Sequence, residues 1–513
     1  MLQRACIVIR NDARGKDKSM TDGFELVSAV SPEKDIAPKW RPNYSKISKE
    51  RTLNFGTSVR SPGTKFSVVL GKNGEGKSRA LSDIAQTFRL MEGWKKNGGE
   101  VPQLPLNHLS YRLGGSFFEI QFEKETWKLL KDKTQVPLEK VALPRKVIAH
   151  SMTPFDKFPL RRQRMSREWQ NLPEQELYSY TGIRDDFGGG STTSMITRTV
   201  DSLVQKSLRG DHVKLQSVFS LLGFKPTITI IWRMGIRRAL SAFNEGKSLD
   251  EVLSLMPSTF KRQYDRSRWN DVRYAETREA FSVLAPYADD RYLYCSLDVL
   301  NQDVTELKKY SAAMTLRGYG SFRMAAAEIS KVNGEVIDLQ DASSGELNLA
   351  LTFISLASVM ENDSLIMIDE PETNLHPEWQ SKYIDLLRTT FSGYSGCHFI
   401  LATHSPMVLS DLPETSNVAV LNSQNELQGI SVSGKSIDYL LVEAFNVASG
   451  ENYYLTELLE EALALAARGE TKDKKFKILV DKLVGISPPK ERAPGIAQII
   501  VELNQLSRRI QSL

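Results

Sequence analysis

The chain has 513 residues, 41% hydrophobic and 25% charged, enough for one large core with insertions or for two to three domains. Its net charge of +5 is small for this length and permits a polyanionic partner without requiring one. Cys6, Cys295 and Cys397 lie far apart in no disulfide or metal-type spacing, which predicts free thiols. The N-terminus does not resemble a signal peptide, and the longest apolar stretch (347–360) is too short for a bilayer, so we expect a cytoplasmic protein without membrane contact.

Four short apolar runs have the composition of parallel strands that are covered on both faces. These runs are FSVVL (66–70), KVIAHS (146–151), SLIMID (364–369) and HFILATH (398–404). Helical patterns follow several of them, as at 378–391. The chain is therefore predicted to be an α/β protein with a mainly parallel core sheet and right-handed crossovers.

Composition shifts divide the chain into parts. Residues 1–65 contain strand-like pieces such as CIVIRN and FELVSAV and predict an antiparallel N-terminal flank. A glycine-rich joint at 187–194 precedes a mainly helical pattern, and three amphipathic helices follow residue 436. We expect two parts of one α/β core domain at 1–190 and 326–435, a helical insertion at 191–325 between them, and a helical tail at 436–513.

The stretch GKNGEGKS (71–78) matches the P-loop pattern G-x-x-x-x-G-K-[ST], follows a predicted strand and precedes a predicted helix. A glycine-rich turn that matches by chance is the alternative, and the strand–loop–helix context disfavours it. We expect Lys77 to reach the β- and γ-phosphates of ATP and the Ser78 hydroxyl to bind Mg²⁺. The predicted nucleotide-binding residues are Gly71, Lys72, Asn73, Gly74, Glu75, Gly76, Lys77, Ser78 and Arg79.

Two adjacent carboxylates, Asp369 and Glu370, end the apolar run at 364–369. Ligands bind at the carboxyl ends of strands in open α/β sheets. Asp369 is predicted to hold Mg²⁺ through water and Glu370 to polarise the attacking water, so that Glu370, His404 and Lys77 are the candidate catalytic residues. The alternative is a solvated acidic turn, which the P-loop elsewhere in the chain disfavours.

Two further segments fit the same chemistry. SSGE (343–346) opens a predicted helix, where it can bind an anion or simply cap the helix. ATHSP (402–406) ends the strand after the acidic one and would place His404 beside the γ-phosphate. A lone histidine is more often structural, but this order and position favour function.

Taken in order, the P-loop, SSGE, IDEPETNLHP and ATHSP resemble the ABC-type AAA ATPases of the SMC-like and overcoming-lysogenization (OLD) group. In that family two subunits sandwich ATP between the P-loop of one and the signature of the other. The resemblance implies that ETNLHP is the D-loop and His404 the switch histidine, while the Q-loop-like segment 147–158 lacks the expected glutamine. It also implies that the γ-phosphate is contacted in trans by Ser343, Ser344, Gly345 and Glu346.

Within this group the chain looks most like the ATPase of Septu-type antiphage systems, including versions attached to retrons. That resemblance implies a dimeric switch with an HNH-type nuclease partner and, in retron versions, a reverse transcriptase with multicopy single-stranded DNA. No Asp-x-Asp pair of an OLD-type nuclease domain follows residue 410, so no intrinsic nuclease is expected. An SMC-like ATPase that acts directly on DNA in repair or end binding is the alternative, and a nuclease in its own right is a third.

Three groups of residues are candidates for other contacts. The arginine cluster of 161–167 contains Arg161, Arg162, Arg164 and Arg167. It fits a nucleic-acid contact and a solvated basic loop equally well. Trp40, Tyr44 and Phe55 are candidates for stacking on adenine. The apolar residues of the tail must be buried, by default on their own domain and otherwise on a partner protein; they are Leu455, Leu458, Leu459, Leu463, Phe476, Ile478, Leu479 and Leu483.

Overall fold

A computed structural model describes most of the chain. The described residues are 23–31, 51–55, 63–71, 74–98, 102–123, 126–160, 177–185, 189–208, 212–256, 271–317, 322–341, 345–413, 416–421, 427–429, 438–439, 442, 452–486 and 493–511.

A seven-stranded sheet, β17-β16-β3-β15-β14-β8-β9, forms the centre of the molecule. Its strands are β3 (Lys65–Leu70), β8 (Val147–Ser151), β9 (Tyr178–Tyr180), β14 (Leu365–Asp369), β15 (His398–Thr403), β16 (Asn417–Leu421) and β17 (Leu427–Gly429). Every neighbouring pair is parallel except β16 with β17. The four apolar runs predicted as buried parallel strands are confirmed, because they are β3, β8, β14 and β15.

A six-stranded antiparallel sheet, β2-β1-β4-β5-β6-β7, lies beside the first helix α1 (Lys77–Asn97). Its strands are β1 (Glu25–Ser31), β2 (Arg51–Asn54), β4 (His108–Leu113), β5 (Ser116–Glu123), β6 (Thr126–Lys131) and β7 (Thr134–Gln135). One apolar cluster joins this sheet, α1 and the central sheet through residues such as Phe24, Phe88 and Val69. The predicted antiparallel flank exists as a sheet of its own; FELVSAV forms β1, and CIVIRN lies outside the described residues.

The buried His398 of β15 joins the central sheet to the N-terminal one. Its Nδ1 accepts a hydrogen bond from the backbone N–H of Leu26 at 3.0 Å, and its Nε2 lies 2.8 Å from the Ser67 hydroxyl. Burial lowers the pKa of His398 to about 3, so the ring is neutral at physiological pH. This histidine therefore has a structural role.

A four-stranded antiparallel sheet, β11-β10-β12-β13, occupies much of the segment predicted as a helical insertion. Its strands are β10 (Phe224–Met234), β11 (Tyr292–Asp298), β12 (Phe322–Lys331) and β13 (Val336–Asp338). The predicted helices are present as well: α2 (Thr192–Leu208), α3 (His212–Leu221), α4 (Arg237–Asn244), α5 (Leu249–Ser254), α6 (Asp271–Leu284) and α7 (Val304–Arg317).

The helical interpretation of 191–325 was therefore incomplete. Strands β10 and β11 were missed because they are covered on one face only, so they lack the unbroken apolar run that marked the core strands. The expected boundary between 325 and 326 falls inside β12. Helix α2 begins at Thr192, inside the expected joint at 187–194. Just before the helix, Gly190 forms an isolated antiparallel β-bridge with Arg184.

The remaining helices are α8 (Gly345–Val359), α9 (Pro377–Ser381), α10 (Tyr383–Thr390), α11 (Tyr453–Ala467), α12 (Lys474–Ile486) and α13 (Pro494–Gln511). The three predicted tail helices are confirmed as α11 to α13. They bury most of their apolar residues against one another, in a cluster separate from the main core. Leu463 and Ile478 are corrections to the predicted buried set, since they stay 43% and 56% exposed.

Within the described part of the chain, none of the helices combines the length and the apolar character that crossing a bilayer requires.

Candidate nucleotide-binding site

The strand order brings the sequence-predicted segments to one edge of the central sheet. Leu70 at the end of β3 pairs with Thr403 of β15, and Ala402 of β15 pairs with Asp369 at the end of β14. The P-loop, the acidic pair and His404 therefore follow three adjacent parallel strands at their carboxyl ends. This edge is where open α/β sheets bind ligands.

The P-loop turn requires glycine at two positions. Gly74 and Gly76 have φ angles of 88° and 94°, which side-chain-bearing residues rarely adopt. Helix α1 starts directly after Gly76 at Lys77 and has no acidic residue in its first turn. The N–H groups of its first turn and the helix dipole thus favour an anion at this point. Lys72 and Asn73 lie outside the described residues, and Glu75, Ser78 and Arg79 are partly exposed.

Lys77 is held inside the turn. Its side chain is buried, and Nζ donates a hydrogen bond of 2.7 Å to the carbonyl oxygen of Gly71. Burial lowers the pKa of Lys77, and the carboxylates of Asp369 and Glu372 oppose this shift. The ammonium group is therefore held within the P-loop turn by the Gly71 carbonyl and by the nearby carboxylates.

Asp369 is 2% exposed at the end of β14. Burial raises the pKa of Asp369 to about 7, although a hydrogen bond with the Ser78 side chain opposes the shift. Within the described residues, Asp369 Oδ1 has no hydrogen-bond partner. A buried carboxylate with one free oxygen beside a hydroxyl matches the oxygen donors that Mg²⁺ prefers.

The two groups do not make a complete protein cage for a metal. No cluster of three or more His, Cys, Asp or Glu ligands occurs among the residues that the structure describes. Mg²⁺ commonly binds through one or two protein groups together with water and substrate phosphates. Asp369 and Ser78 therefore fit Mg²⁺ that arrives with a nucleotide.

Glu370 adopts a left-handed conformation with a φ angle of 52°. Its backbone N–H donates a hydrogen bond of 2.8 Å to the carbonyl of Ala402, so the main chain bends sharply while still attached to β15. Such a conformation is unfavourable for a residue with a side chain and persists where the surrounding structure enforces it. It directs the chain away from the strand immediately after Asp369.

A buried glutamate that the sequence did not single out contacts His404. Glu372 Oε1 lies 3.0 Å from His404 Nδ1 and accepts the backbone N–H of His404 at 2.8 Å. The hydrogen bond with Glu372 raises the pKa of His404. Burial raises the pKa of Glu372, but its hydrogen bonds, of which those with His404 are the largest, together outweigh burial and lower the pKa. The pair fixes the imidazole so that its other nitrogen is available for a ligand.

The predicted signature segment lies against the loop that contains Glu372. Gly345 is the first residue of α8, and a methyl group at its Cα would lie 3.2 Å from the Asn374 carbonyl and 3.3 Å from the His376 nitrogen. Glu346 is half-exposed and forms an ion pair of 3.2 Å with Lys331. Ser343 and Ser344 lie outside the described residues.

The Q-loop-like segment is anchored by an ion pair. Arg184 Nε donates to Asp156 Oδ2 at 2.9 Å, and the Tyr180 hydroxyl donates to the same oxygen at 2.7 Å. Ser82 of α1 donates to the Lys157 carbonyl at 2.6 Å. Phe155, one residue before Asp156, is 81% exposed. The segment is thus hydrogen-bonded to α1 and ion-paired with Arg184, although it lacks the expected glutamine.

The candidates for adenine stacking and for nucleic-acid contact lie in the core or outside the described residues. Phe55 is 1% exposed and packs edge-on against His398, so it is a core residue and not a stacking platform for adenine. Trp40 and Tyr44 lie outside the described residues, as do all four arginines of 161–167.

Residues 296–410 match a protein family described as "AAA domain, putative AbiEii toxin, Type IV TA system". The matched segment contains Gly345, Asp369, Glu370, Glu372 and His404, and the P-loop turn lies beside these carboxylates in the fold. Residues 296–410 of the chain therefore resemble an AAA ATPase domain.

Curated relatives match this chain over short stretches. It is 30% identical over 129 residues to protein ea59 of Escherichia phage lambda, 27% over 162 residues to the Retron Ec83 probable ATPase of Escherichia coli, and 32% over 101 residues to the Retron Vc95 probable ATPase of Vibrio cholerae serotype O1 biovar El Tor. These matches cover 24%, 28% and 18% of this chain. They span 24%, 29% and 19% of the relatives' own lengths.

Solved structures align with most of the chain. The SMC head domain from Thermotoga maritima aligns at 10% identity with a TM-score of 0.28, covering 80% of this chain and 99% of that chain. The ATP-bound recombination mediator RecF aligns at 13% identity with a TM-score of 0.29, covering 81% and 100%. At these TM-scores the likeness adds nothing to the strand order given above.

Proposed function

We propose that this chain binds and hydrolyses ATP with Mg²⁺ as a cytoplasmic, homodimeric switch of an antiphage defence system. The observation that carries the proposal is the convergence of Lys77, Ser78, Asp369, Glu370 and His404 at one edge of the central sheet. The short matches to retron ATPases support the context of defence.

Each residue at the edge has a proposed role. Backbone N–H groups of the P-loop and Lys77 bind the β- and γ-phosphates, and Ser78 and Asp369 hold Mg²⁺, which neutralises charge on the phosphates. Glu370 accepts a proton from the attacking water, and His404 donates a hydrogen bond to the γ-phosphate.

Glu372 is a positioning residue in this scheme. Its carboxylate accepts hydrogen bonds from Nδ1 and from the backbone N–H of His404. Because Nδ1 is occupied in this way, Nε2 is the ring nitrogen that would bind the γ-phosphate. The same loop contacts Gly345 through Asn374 and His376. Movement of His404 on loss of the γ-phosphate would therefore be transmitted through this loop to the signature segment.

The signature residues Ser343, Ser344, Gly345 and Glu346 are proposed to close on ATP bound by the second subunit. Dimerisation then depends on ATP, and hydrolysis releases the subunits. The ATP-bound dimer is proposed to hold or release an HNH-type effector nuclease. The tail 436–513 is the proposed docking region for that partner, and a retron reverse transcriptase with its multicopy DNA is a further candidate partner.

The Glu370→Gln variant tests the switch. Loss of the general base should slow ATP turnover by about 10²–10⁴-fold while binding persists, because the amide keeps the shape of the carboxylate. We expect light scattering during gel filtration to show a stable dimer with ATP and a monomer without it. Glu378→Gln, at an exposed position after the same loop, is the matched control and should behave as the wild type.

Wild-type turnover in Glu370→Gln would contradict the role of Glu370 as the base. A Glu370→Gln protein that binds ATP but stays monomeric would contradict the dimeric switch.

A further inference from the structure

The four-stranded sheet has one face in the core and one face that the described residues leave open. On the inner face, Ile230 and Trp232 of β10 are fully buried. On the outer face, Arg233 of β10 pairs with Tyr292 of β11 on one side and with Arg323 of β12 on the other. Side chains of direct cross-strand partners share a face and lie about 5 Å apart. Tyr292, Arg233 and Arg323 therefore form one row across three strands.

This row places two like charges next to each other. Arg233 and Arg323 are both exposed, and directly opposed like charges destabilise a sheet. Neither guanidinium has an ion-pair or hydrogen-bond partner among the described side chains. The guanidinium of Arg291 adds a third positive charge beside the row, since it lies 5.5 Å from the centre of the Tyr292 ring. An anionic ligand would relieve the repulsion.

The acidic groups near this face lie mainly at the other end of the sheet. Glu328 faces outward opposite Thr229, and Asp298 lies opposite Thr227, several residues along β10 from Arg233. Asp289 and Asp290 precede Arg291 in the chain and offset part of its charge. The outer face is therefore basic at the Arg233 end and acidic at the Thr227 end.

An exposed aromatic platform adjoins the arginines. Tyr294 is 56% exposed and follows Tyr292 by two residues, about 6.7 Å along the strand on the same face. Its partner on β10 is Ile231, which is only 9% exposed, and beyond Ile231 the outer face of β12 has the small side chain of Ala326. A flat surface with stepped aromatic rings and neighbouring arginines can stack bases and bind the phosphates between them.

We propose that this face, defined by Arg233, Arg323, Arg291, Tyr292 and Tyr294, binds single-stranded nucleic acid. The exposed rings favour unpaired bases over a duplex, whose bases are not available for stacking on a flat sheet. They also favour nucleic acid over an acidic peptide, for which charge alone would be enough. The proposal does not depend on ATP hydrolysis or dimerisation.

The test measures binding of the full chain to a fluorescein-labelled oligothymidylate of about 20 nucleotides, longer than the roughly 4–16 nucleotides that one binding fold covers. Fluorescence anisotropy is recorded over a range of salt concentrations. R233Q/R323Q should weaken binding and reduce the slope of log K against log salt by about 1.4, since each lost phosphate contact on a single strand removes about 0.7. Tyr294→Ala should weaken binding by about tenfold.

Two control variants carry the same kinds of change on the tail helices. R468Q/K472Q removes two positive charges near the end of α11, and Tyr453→Ala removes a tyrosine that is 70% exposed. Both should bind the oligonucleotide as the wild type does. All four proteins should keep wild-type ATP turnover without nucleic acid, which shows that each is folded.

Three results would overturn the proposal. The first is wild-type affinity and salt slope in R233Q/R323Q. The second is displacement of the labelled strand by polyglutamate as readily as by unlabelled oligothymidylate, which would indicate an acidic protein partner. The third is tighter binding of a duplex of the same length together with no effect of Tyr294→Ala, which would indicate double-stranded DNA.

Discussion

The seven-stranded sheet and the four-stranded sheet share one apolar core but present their chemistry in different places. Strands β3, β14 and β15 are covered on both faces, so polar groups can be displayed only where the strands end. Strand β10 is covered mainly on one face, so its other face can display polar side chains such as Thr227, Thr229 and Arg233 beside the apolar Ile231. The difference shows that the burial of a sheet decides whether a candidate site lies at its edge or on its surface.

The largest effect on function should come from the edge of the central sheet. Lys77→Met removes the buried cation of the P-loop and should reduce ATP turnover by about 10²–10³-fold, as loss of one preorganised electrostatic group does. Phosphate release is the measurement. Lys96→Met, on the same helix and paired with Glu92, is the control and should stay active. Equal turnover in the two variants would show that the edge is not the catalytic site.

The shared core should respond strongly to a change on the inner face of the four-stranded sheet. Trp232→Ala removes a fully buried ring and should lower the free energy of unfolding by about 3–5 kcal/mol in urea denaturation. Thr229 lies on the outer face, where its hydroxyl contacts Ser296. The Thr229→Ala substitution should change the free energy of unfolding by no more than about 0.5 kcal/mol. Similar losses in both variants would contradict the assignment of inner and outer faces.

A smaller effect is expected when the positioning residue is changed. Glu372→Gln weakens a buried charged hydrogen bond to His404, which should reduce ATP turnover by about tenfold. The pKa of His404, followed by NMR of the ring, should fall toward its ordinary value. Unaltered titration of His404 in this variant would exclude the proposed role of Glu372.

The stability contribution of this pair should depend on pH with a definite sign. The pKa of His404 is raised in the folded state, so its contribution is fully present below its ordinary pKa near 6.5 and is lost as pH rises through the raised value. The pKa of Glu372 is lowered, so its contribution is present above about 4.5 and is lost as pH falls through the lowered value. The wild type should therefore exceed Glu372→Gln in stability most clearly between about pH 4.5 and 6.5.

The smallest effect on stability is expected in the tail, which has its own apolar cluster. Ile478→Asp lies at an exposed position of α12 and should change the free energy of unfolding by no more than about 0.5 kcal/mol. Phe476→Ala, two residues earlier and fully buried, should cost about 3–5 kcal/mol in unfolding of the tail. Equal sensitivity at the two positions would indicate that the helices pack differently. ATP turnover should be unchanged in Ile478→Asp.

The central sheet and the residues at its edge could be predicted from the sequence because short contiguous segments indicate both. An unbroken apolar run followed directly by Asp369 or by a glycine-rich turn indicates a buried strand and its functional end without knowledge of the rest of the fold. The signature and His404 needed the family resemblance in addition, since a helix cap and a lone histidine are ambiguous by themselves.

What the sequence did not predict depends on contacts between distant segments. Glu372 and His404 are 32 residues apart, and nothing in either segment indicates that the two side chains meet. The row of Tyr292, Arg233 and Arg323 exists only through the strand register. Strands β10 and β11 were missed because they pack mainly through one face and therefore lack the unbroken apolar run of the core strands.

In the proposed dimer two chains share each ATP site, and mixing two inactive variants distinguishes this arrangement from a site that lies within one chain. Lys77→Met disables the P-loop and Ser344→Arg disables the signature, so each homodimer should lack turnover. If sites form in trans, the mixed dimer contains one site with an intact P-loop and an intact signature, and mixing should restore a substantial fraction of wild-type turnover. Turnover that stays at the level of the separate variants, although the mixed dimer forms, would contradict the shared site.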